Sequence, residues 1–146
     1  MTKEEHRKIA VEAFNGTWDL IEVTHKTPEQ VLEMIHLAHT SRHHWEKAGG
    51  TALNLARGEW QISHVYSLSG LGESALFHAK AYYDSVMLNE FKDFDLVFAH
   101  EALAYAYKVL NNNVLKKKHL KEAYSLIDQC EKQGDKDYCK SQLDLI

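Results

Sequence analysis

"ALNLARGEWQISHVYSLSGLGESALFHAKAYY", residues 52–83, is the stretch on which the fold turns. Its first part reads as a helix over roughly residues 51–69, "GLGE" at 70–73 as a tight turn, and a further helix runs from Ser74 to about Glu90. Two helices joined by so short a link must lie antiparallel. Small residues mark the seam between them: Ala52, Ala56 and Ser63 stand opposite Ala75 and Ala79, so the backbones can approach closely. Trp60, Tyr66 and Tyr82 are placed to fill the flanks of that seam.

Outward from this hairpin the helical pattern continues. Thr2 and Glu5 make a capping box, and Ile9, Ala10, Ala13, Phe14, Thr17, Trp18 and Ile21 follow at helical spacing, predicting a helix over roughly 3–21. Thr27, Pro28 and Gln30 open a second helix, which runs to about Ala48 and stops at Gly49-Gly50. Beyond the central hairpin, Asp93 or Asp95 caps a fifth helix ending near Leu110. "NNNVLKKK" then reads as a polar connection, followed by a sixth helix over about 118–133 and a short seventh after Gly134. The expected fold is all-α, an array of antiparallel helical hairpins with six or seven helices in one domain over residues 1–146.

Composition agrees and removes several functions. The chain has seven Gly and a single Pro among 146 residues, few helix breakers for its length. A formal net charge of -4 offers no general attraction to nucleic-acid backbones or anionic membranes, so neither is expected as a partner. No apolar run approaches the roughly 18 residues of a membrane span, and "MTKEEHRKIAVEAF" lacks the apolar core of a signal peptide, so the cytoplasm is the expected location. Cys130 and Cys139 lack metal-ligand spacing and read as reduced structural residues, although a turn at Gly134 would bring them together.

Within the central hairpin, Ile62, Ser63, Tyr66, Gly70, Ala75 and Tyr82 fall at the spacing of the tetratricopeptide repeat, with Ala79 where a larger aromatic is common. This stretch of about 30 residues resembles one such repeat. Aligning Tyr105 with Tyr66 extends the likeness into the fifth helix, with Ala102 on Ser63 and Val109 at the turn-glycine position. The chain is also similar to small uncharacterised bacterial proteins sharing an "ARGEW…YSLSGLGE" core, a likeness that implies no activity. The repeat resemblance implies an array in which the first helix of each hairpin lines a concave surface that contacts an extended peptide or a small ligand.

On that surface the third helix would place a polar stripe of Asn54, Arg57, Gln61 and His64 beside Trp60, joined by Asp95 and Glu101 from the fifth. Glu59 stands apart, because its helical position falls on the close-packing face, where a carboxylate needs a partner. His44, His78 and Arg42 are the available ones, and pairing across the hairpins competes with ligand contact as its role. The expected function is a non-catalytic scaffold, without a cofactor, that binds a protein segment, a peptide or a small ligand.

The competing reading comes from "HLAHTSRHHW", residues 36–45, where His36, His39 and His43 share one helical stripe. His39 and His43, one turn apart, are able to share a divalent metal, so a metal-dependent helical-bundle enzyme is the alternative. The stripe lies opposite Val31, Met34, Ile35, Ala38 and Trp45, however, and is expected outside the packed seam, as a solvated polar face. "HEALA" at 100–104 has Ala104 where a zinc-protease helix needs its second histidine, and no phosphate-binding or nucleophile motif is present. Finally, Phe77 and Leu88 make the fourth helix apolar on a second side, suited to a further helix of the array or to a homo-oligomer contact.

Overall fold

The computed structural model describes residues 1–146 and is all-helical, with seven helices in the order α1 (Lys3–Ile21), α2 (Pro28–Lys47), α3 (Ala52–Leu68), α4 (Gly72–Asn89), α5 (Phe94–Val109), α6 (Asn113–Ile127) and α7 (Gln133–Leu143). Each of the first three starts from the same local device. Thr2, Thr27 and Thr51 accept a hydrogen bond from the backbone N–H three residues on, and the side-chain oxygens of Glu5, Gln30 and Asn54 accept one from the backbone N–H of the cap residue. Two N–H groups that a helix start leaves unpaired are thereby satisfied at each end.

Successive helices pack as antiparallel pairs, α1 with α2, α3 with α4 and α5 with α6, and α7 closes the row against α5 and α6. The seams are built from small residues. α1 buries Ala10, Ala13 and Thr17 and α2 buries Met34, Ala38 and Ser41, and Ser41 Oγ donates to the Ala10 carbonyl across the pair at 2.8 Å. In α3 and α4, Ser63 Oγ donates to the Ala75 carbonyl at 2.8 Å, satisfying a buried hydroxyl while the backbones remain close. Between α2 and α3 only a glycine fits comfortably at position 58, where an added Cβ would sit 3.0 Å from Arg42 Cδ. The largest core cluster runs through α3, α4 and α5, includes Ala56, Ala79, Tyr82, Val97, Phe98 and Leu103, and reaches Cys139 and Leu143 of α7. A second cluster joins Met34 and Ala38 to Ile62 and Val65.

Several boundaries differ from the sequence expectation. The fourth helix begins at Gly72 rather than Ser74. The largest difference is at α6, which starts at Asn113, so most of "NNNVLKKK" is helix rather than loop. The cause is Asn112, whose side chain accepts from the Leu115 backbone N–H at 3.1 Å and caps the helix five residues earlier than expected. That helix stops at Ile127, and α7 already begins at Gln133, with Gly134 inside its first turn.

This shift resets the internal correspondence between the second and third hairpins. The link between α5 and α6 is as short as that between α3 and α4, and Asn111, at φ 60°, occupies the left-handed position that Gly70, at φ 77°, fills in the earlier turn. Tyr107, Asn111 and His119 each stand 41 residues beyond Tyr66, Gly70 and His78. The stacked pair Tyr66–His78, with ring centroids 5.7 Å apart, is repeated by Tyr107–His119 at 5.7 Å. Tyr107, rather than Tyr105, is therefore the counterpart of Tyr66, which frees Tyr105 to face elsewhere. Position 109 is not the turn position.

Candidate functional site

The odd-numbered helices share one face. α3 packs on α5 and α5 on α7, while Trp18 of α1 stacks on Trp60 of α3 at 5.8 Å and Gln61 Nε2 donates to the Phe14 carbonyl at 3.2 Å. Two cavities open along this face. The first, of about 220 Å³, is walled by Phe14, Trp18, Trp60, Phe94, Phe98 and Tyr138, with Arg57, Asp95 and Tyr82 as its polar groups. The second, of about 280 Å³, shares Trp18 and carries His64, Glu101, Tyr105 and Gln142 between Ile21 and Leu68. Aromatic walls with a few inward polar groups are the usual make-up of a ligand cleft.

Arg57 and Asp95 meet in a bidentate pair, Nε to Oδ1 at 3.2 Å and Nη2 to Oδ2 at 2.8 Å. Tyr82 adds its hydroxyl to Asp95 Oδ1 at 2.7 Å, so one carboxylate ties α3, α4 and α5 together. The hydrogen bond to Asp95 raises the Arg57 pKa against the opposing effect of burial, and burial followed by the Asp95 charge lifts that of the Tyr82 phenol. Arg57 also lies over the Phe94 ring, 4.7 Å from its centroid.

Glu101 is only 2% exposed, and its Oε1 accepts a hydrogen bond from Trp60 Nε1 at 3.0 Å. Burial pushes its carboxyl up to about 7, and the Trp60 bond offsets only part of that. His64 stacks on Trp60 with centroids 4.8 Å apart and presents its ring edge-on to Tyr105 at 5.5 Å. Burial takes His64 down to about 4, so its imidazole is neutral at pH 7, and Nδ1 is fully shielded without a hydrogen-bond partner.

Of the residues singled out from sequence, Arg57, Trp60, His64, Asp95 and Glu101 line the two cavities. Three others have different surroundings. Asn54 caps α3 through Thr51 and edges a smaller pocket of about 190 Å³ with Trp45, Phe14 and Arg57. Gln61 is fully buried between α1 and α3 rather than set in the groove, with its Oε1 unpartnered. Glu59 belongs to another face of α3, where its Oε2 lies 2.6 Å from His78 Nδ1 and its Oε1 3.3 Å from Arg42 Nε. The Arg42 contact has ion-pair distance without hydrogen-bond geometry, since Nε lacks a hydrogen-bond partner. Burial opposes ionisation of Glu59, but the His78 bond and the Arg42 charge outweigh it and hold the carboxyl below its ordinary range.

The groove contains residues that sequence reasoning did not assign to it. Phe14, Trp18, Phe94, Phe98, Tyr105 and Tyr138 form most of its aromatic lining, and Ile21, Leu68, Leu145 and Ile146 supply aliphatic wall. Phe14 and Trp18 were legible only as members of an apolar face, and helical period cannot separate a wall residue from a core residue.

His36, His39 and His43 do not converge. His36 and His43 are exposed, whereas His39 turns toward α3 and shares a 2.8 Å hydrogen bond with the Tyr66 hydroxyl. No group of three or more His, Cys, Asp or Glu side chains is arranged to hold a metal ion. Four other imidazoles pair off: His6 with His44 at 2.8 Å between Nδ1 atoms, and His100 with His119 at 3.1 Å. Cys130 and Cys139 are both buried and in mutual contact, and burial raises both thiols, Cys139 to about 12. No helix is long and apolar enough to cross a membrane. No family model, no curated protein and no solved structure matches this chain.

Proposed function

We propose that the chain is a non-catalytic binding scaffold of the tetratricopeptide-like kind, which holds a protein segment, a peptide or a small ligand along the face made by α1, α3, α5 and α7. The observation that carries this reading is the pair of adjoining cavities on that face, the first walled by aromatic and the second by aromatic and aliphatic side chains, each with few polar groups. Arg57 supports it further: two of its five donors are spent on Asp95, which orients the guanidinium and leaves the others for a ligand oxygen. The 41-residue correspondence of turn and stacked pair supports a repeating helical hairpin, with a period longer than the roughly 34 residues of a tetratricopeptide repeat. Cytoplasmic placement and a bacterial origin belong to the same proposal and rest on composition and on the sequence resemblance.

The test is a screen of small fragments and random short peptides against the ¹⁵N-labelled protein, with amide shifts mapped onto the structure. Shifts clustered on Trp18, Arg57, Trp60, Asp95 and Tyr105, lost in Trp60→Ala, are the expected result. Hits that cluster on the outer surfaces of α2, α4 and α6, or no hits at all, would overturn the reading.

A further inference from the structure

Glu101 combines three properties that do not ordinarily coexist in a structural carboxylate. It is almost completely buried, it takes part in no salt bridge, and it lines a cavity of about 280 Å³. A carboxylate offers about four acceptor positions, and the Trp60 indole N–H fills one of them. Buried carboxylates are normally paired with a cation. The cations nearby are already engaged, because Arg57 is bound to Asp95 and Lys26 Nζ donates to the carbonyls of Ile21 and Val23. The cavity is lined by the Trp18, Tyr105 and neutral His64 rings together with the aliphatic Ile21, Leu68, Leu145 and Ile146 and the polar Gln142, and the aromatic part of that wall favours a cation electrostatically.

We propose that the cavity lined by Trp18, His64, Glu101 and Tyr105 is a site for an organic ammonium group, with the Glu101 carboxylate as its counter-ion, the aromatic rings beside the charge and the aliphatic walls around its organic part. This rests on the scaffold reading and names the chemistry of the ligand within it. The space is roughly twice the ~150 Å³ apolar cavity that takes benzene, so an alkyl- or arylammonium of small size fits. The same ammonium could be a free amine or the lysine side chain of a partner segment, and the two are separable by experiment.

Binding should also carry a pH signature, because the cation requires Glu101 ionised. The groups facing Glu101 do not titrate in the same window: burial keeps His64 near 4, and burial also raises Tyr105, Tyr138 and Tyr82 above their ordinary range and Cys139 to about 12. With Glu101 near 7 in the free protein, affinity for an ammonium should be about tenfold greater at pH 8 than at pH 6.

The experiment titrates the full chain with phenethylammonium and with its neutral isostere 2-phenylethanol, at pH 6 and pH 8, following tryptophan fluorescence and mapping amide shifts. In parallel, an acetylated hexapeptide with one lysine is compared with the same peptide carrying norleucine. Expected are a preference of tenfold or more for the ammonium at pH 8, the pH dependence above, and loss of both in Glu101→Gln, which keeps an acceptor for Trp60. Preference and pH profile are read on the unmodified protein, so they stand whatever the variant does. Binding of the lysine peptide alone would point to a protein partner, and of the free amine alone to a small molecule; either supports the site. Equal binding of the alcohol in this cavity, or affinity that falls as pH rises, overturns the ammonium site and leaves the scaffold reading intact. Absence of any shift on this face, here and in the fragment screen, overturns both.

Discussion

Arg57 of α3 and Asp95 of α5 reach across two successive hairpins and lock through parallel N–H···O bonds of 2.8 and 3.2 Å, with Tyr82 of α4 completing the set. The clamp therefore joins second and third hairpins at the wall of the first cavity. Asp95→Ala leaves the guanidinium without its acceptor and the Tyr82 phenol with only the backbone carbonyl of residue 95, at 3.3 Å. Breaking a fully buried pair costs about 3–5 kcal/mol, but Arg57 is 41% exposed and water can take over much of its role. A loss of about 2 kcal/mol, read from urea unfolding, is expected, and a double-mutant cycle with Arg57→Ala should show clear coupling. Additive effects would mean that the two hairpins are held by other contacts.

Glu101 should make the protein less stable as pH rises. Its carboxyl stands at about 7 in the folded chain, well above the ordinary 4.5, so unfolding exposes a group that ionises more readily. The folded state bears no penalty below pH 4.5; the penalty grows from there to about pH 7 and is constant above it. Glu101→Gln removes the titration while retaining the Trp60 bond. Melting curves should therefore show the variant more stable than the parent at pH 8, by on the order of 2–3 kcal/mol, with the advantage gone at pH 4.

Glu59 carries the opposite sign. Burial raises its carboxyl, but the His78 bond, the His78 charge and the Arg42 charge together bring it below the ordinary 4.5. Its stabilising contribution is complete at pH 5.5 and disappears as pH falls below 4.5 through the lower folded value. The melting temperature of Glu59→Gln should lie below that of the parent at pH 5.5, and the gap should narrow as pH is taken below the ordinary 4.5 and through the lower folded value. A gap that persists into acid would show that the pair acts through packing.

The seam between α3 and α4 leaves no room at Ala79, which is fully buried within the main core cluster. Ala79→Leu forces the helices apart and should cost about 1–3 kcal/mol. Lys80→Ala, on the exposed side of the same helix, should stay within about 0.5 kcal/mol. Equilibrium unfolding of the two variants compares them directly.

Asn111 adopts φ 60° at the turn where the preceding hairpin uses Gly70. Asparagine tolerates the left-handed region better than most side chains, and glycine tolerates it better still. Asn111→Gly should raise stability by up to about 1 kcal/mol despite the greater freedom it gives the unfolded chain. A fall would show that the Asn111 side chain makes a contribution the turn conformation does not reveal.

The outer side of α4 leaves Phe77 at 71% and Leu88 at 84% exposure. Light scattering of Phe77→Asp at several concentrations tests whether this side joins copies of the chain. A mass that drops relative to the parent supports the oligomer contact, and an unchanged mass removes it.

Helicity, the pairing of successive helices and most of their starts were readable from residue order, because capping and helical periodicity act within a few residues. Thr2 with Glu5 and Thr27 with Gln30 show this, each forming the capping box its spacing predicts. The Asn112 cap was missed because an asparagine run is equally compatible with a loop, and only the geometry at Leu115 separates the two. The site was readable as a set of residue types and not as a place. Arg57, Glu59 and Gln61 are close neighbours in sequence, yet one lines the groove, one pairs with α4 and one is buried against α1. Which direction each takes depends on where α1, α4 and α5 come to rest around α3. That arrangement is set by contacts between residues as much as 47 positions apart, as in Gln61 with Phe14, beyond the reach of any local pattern.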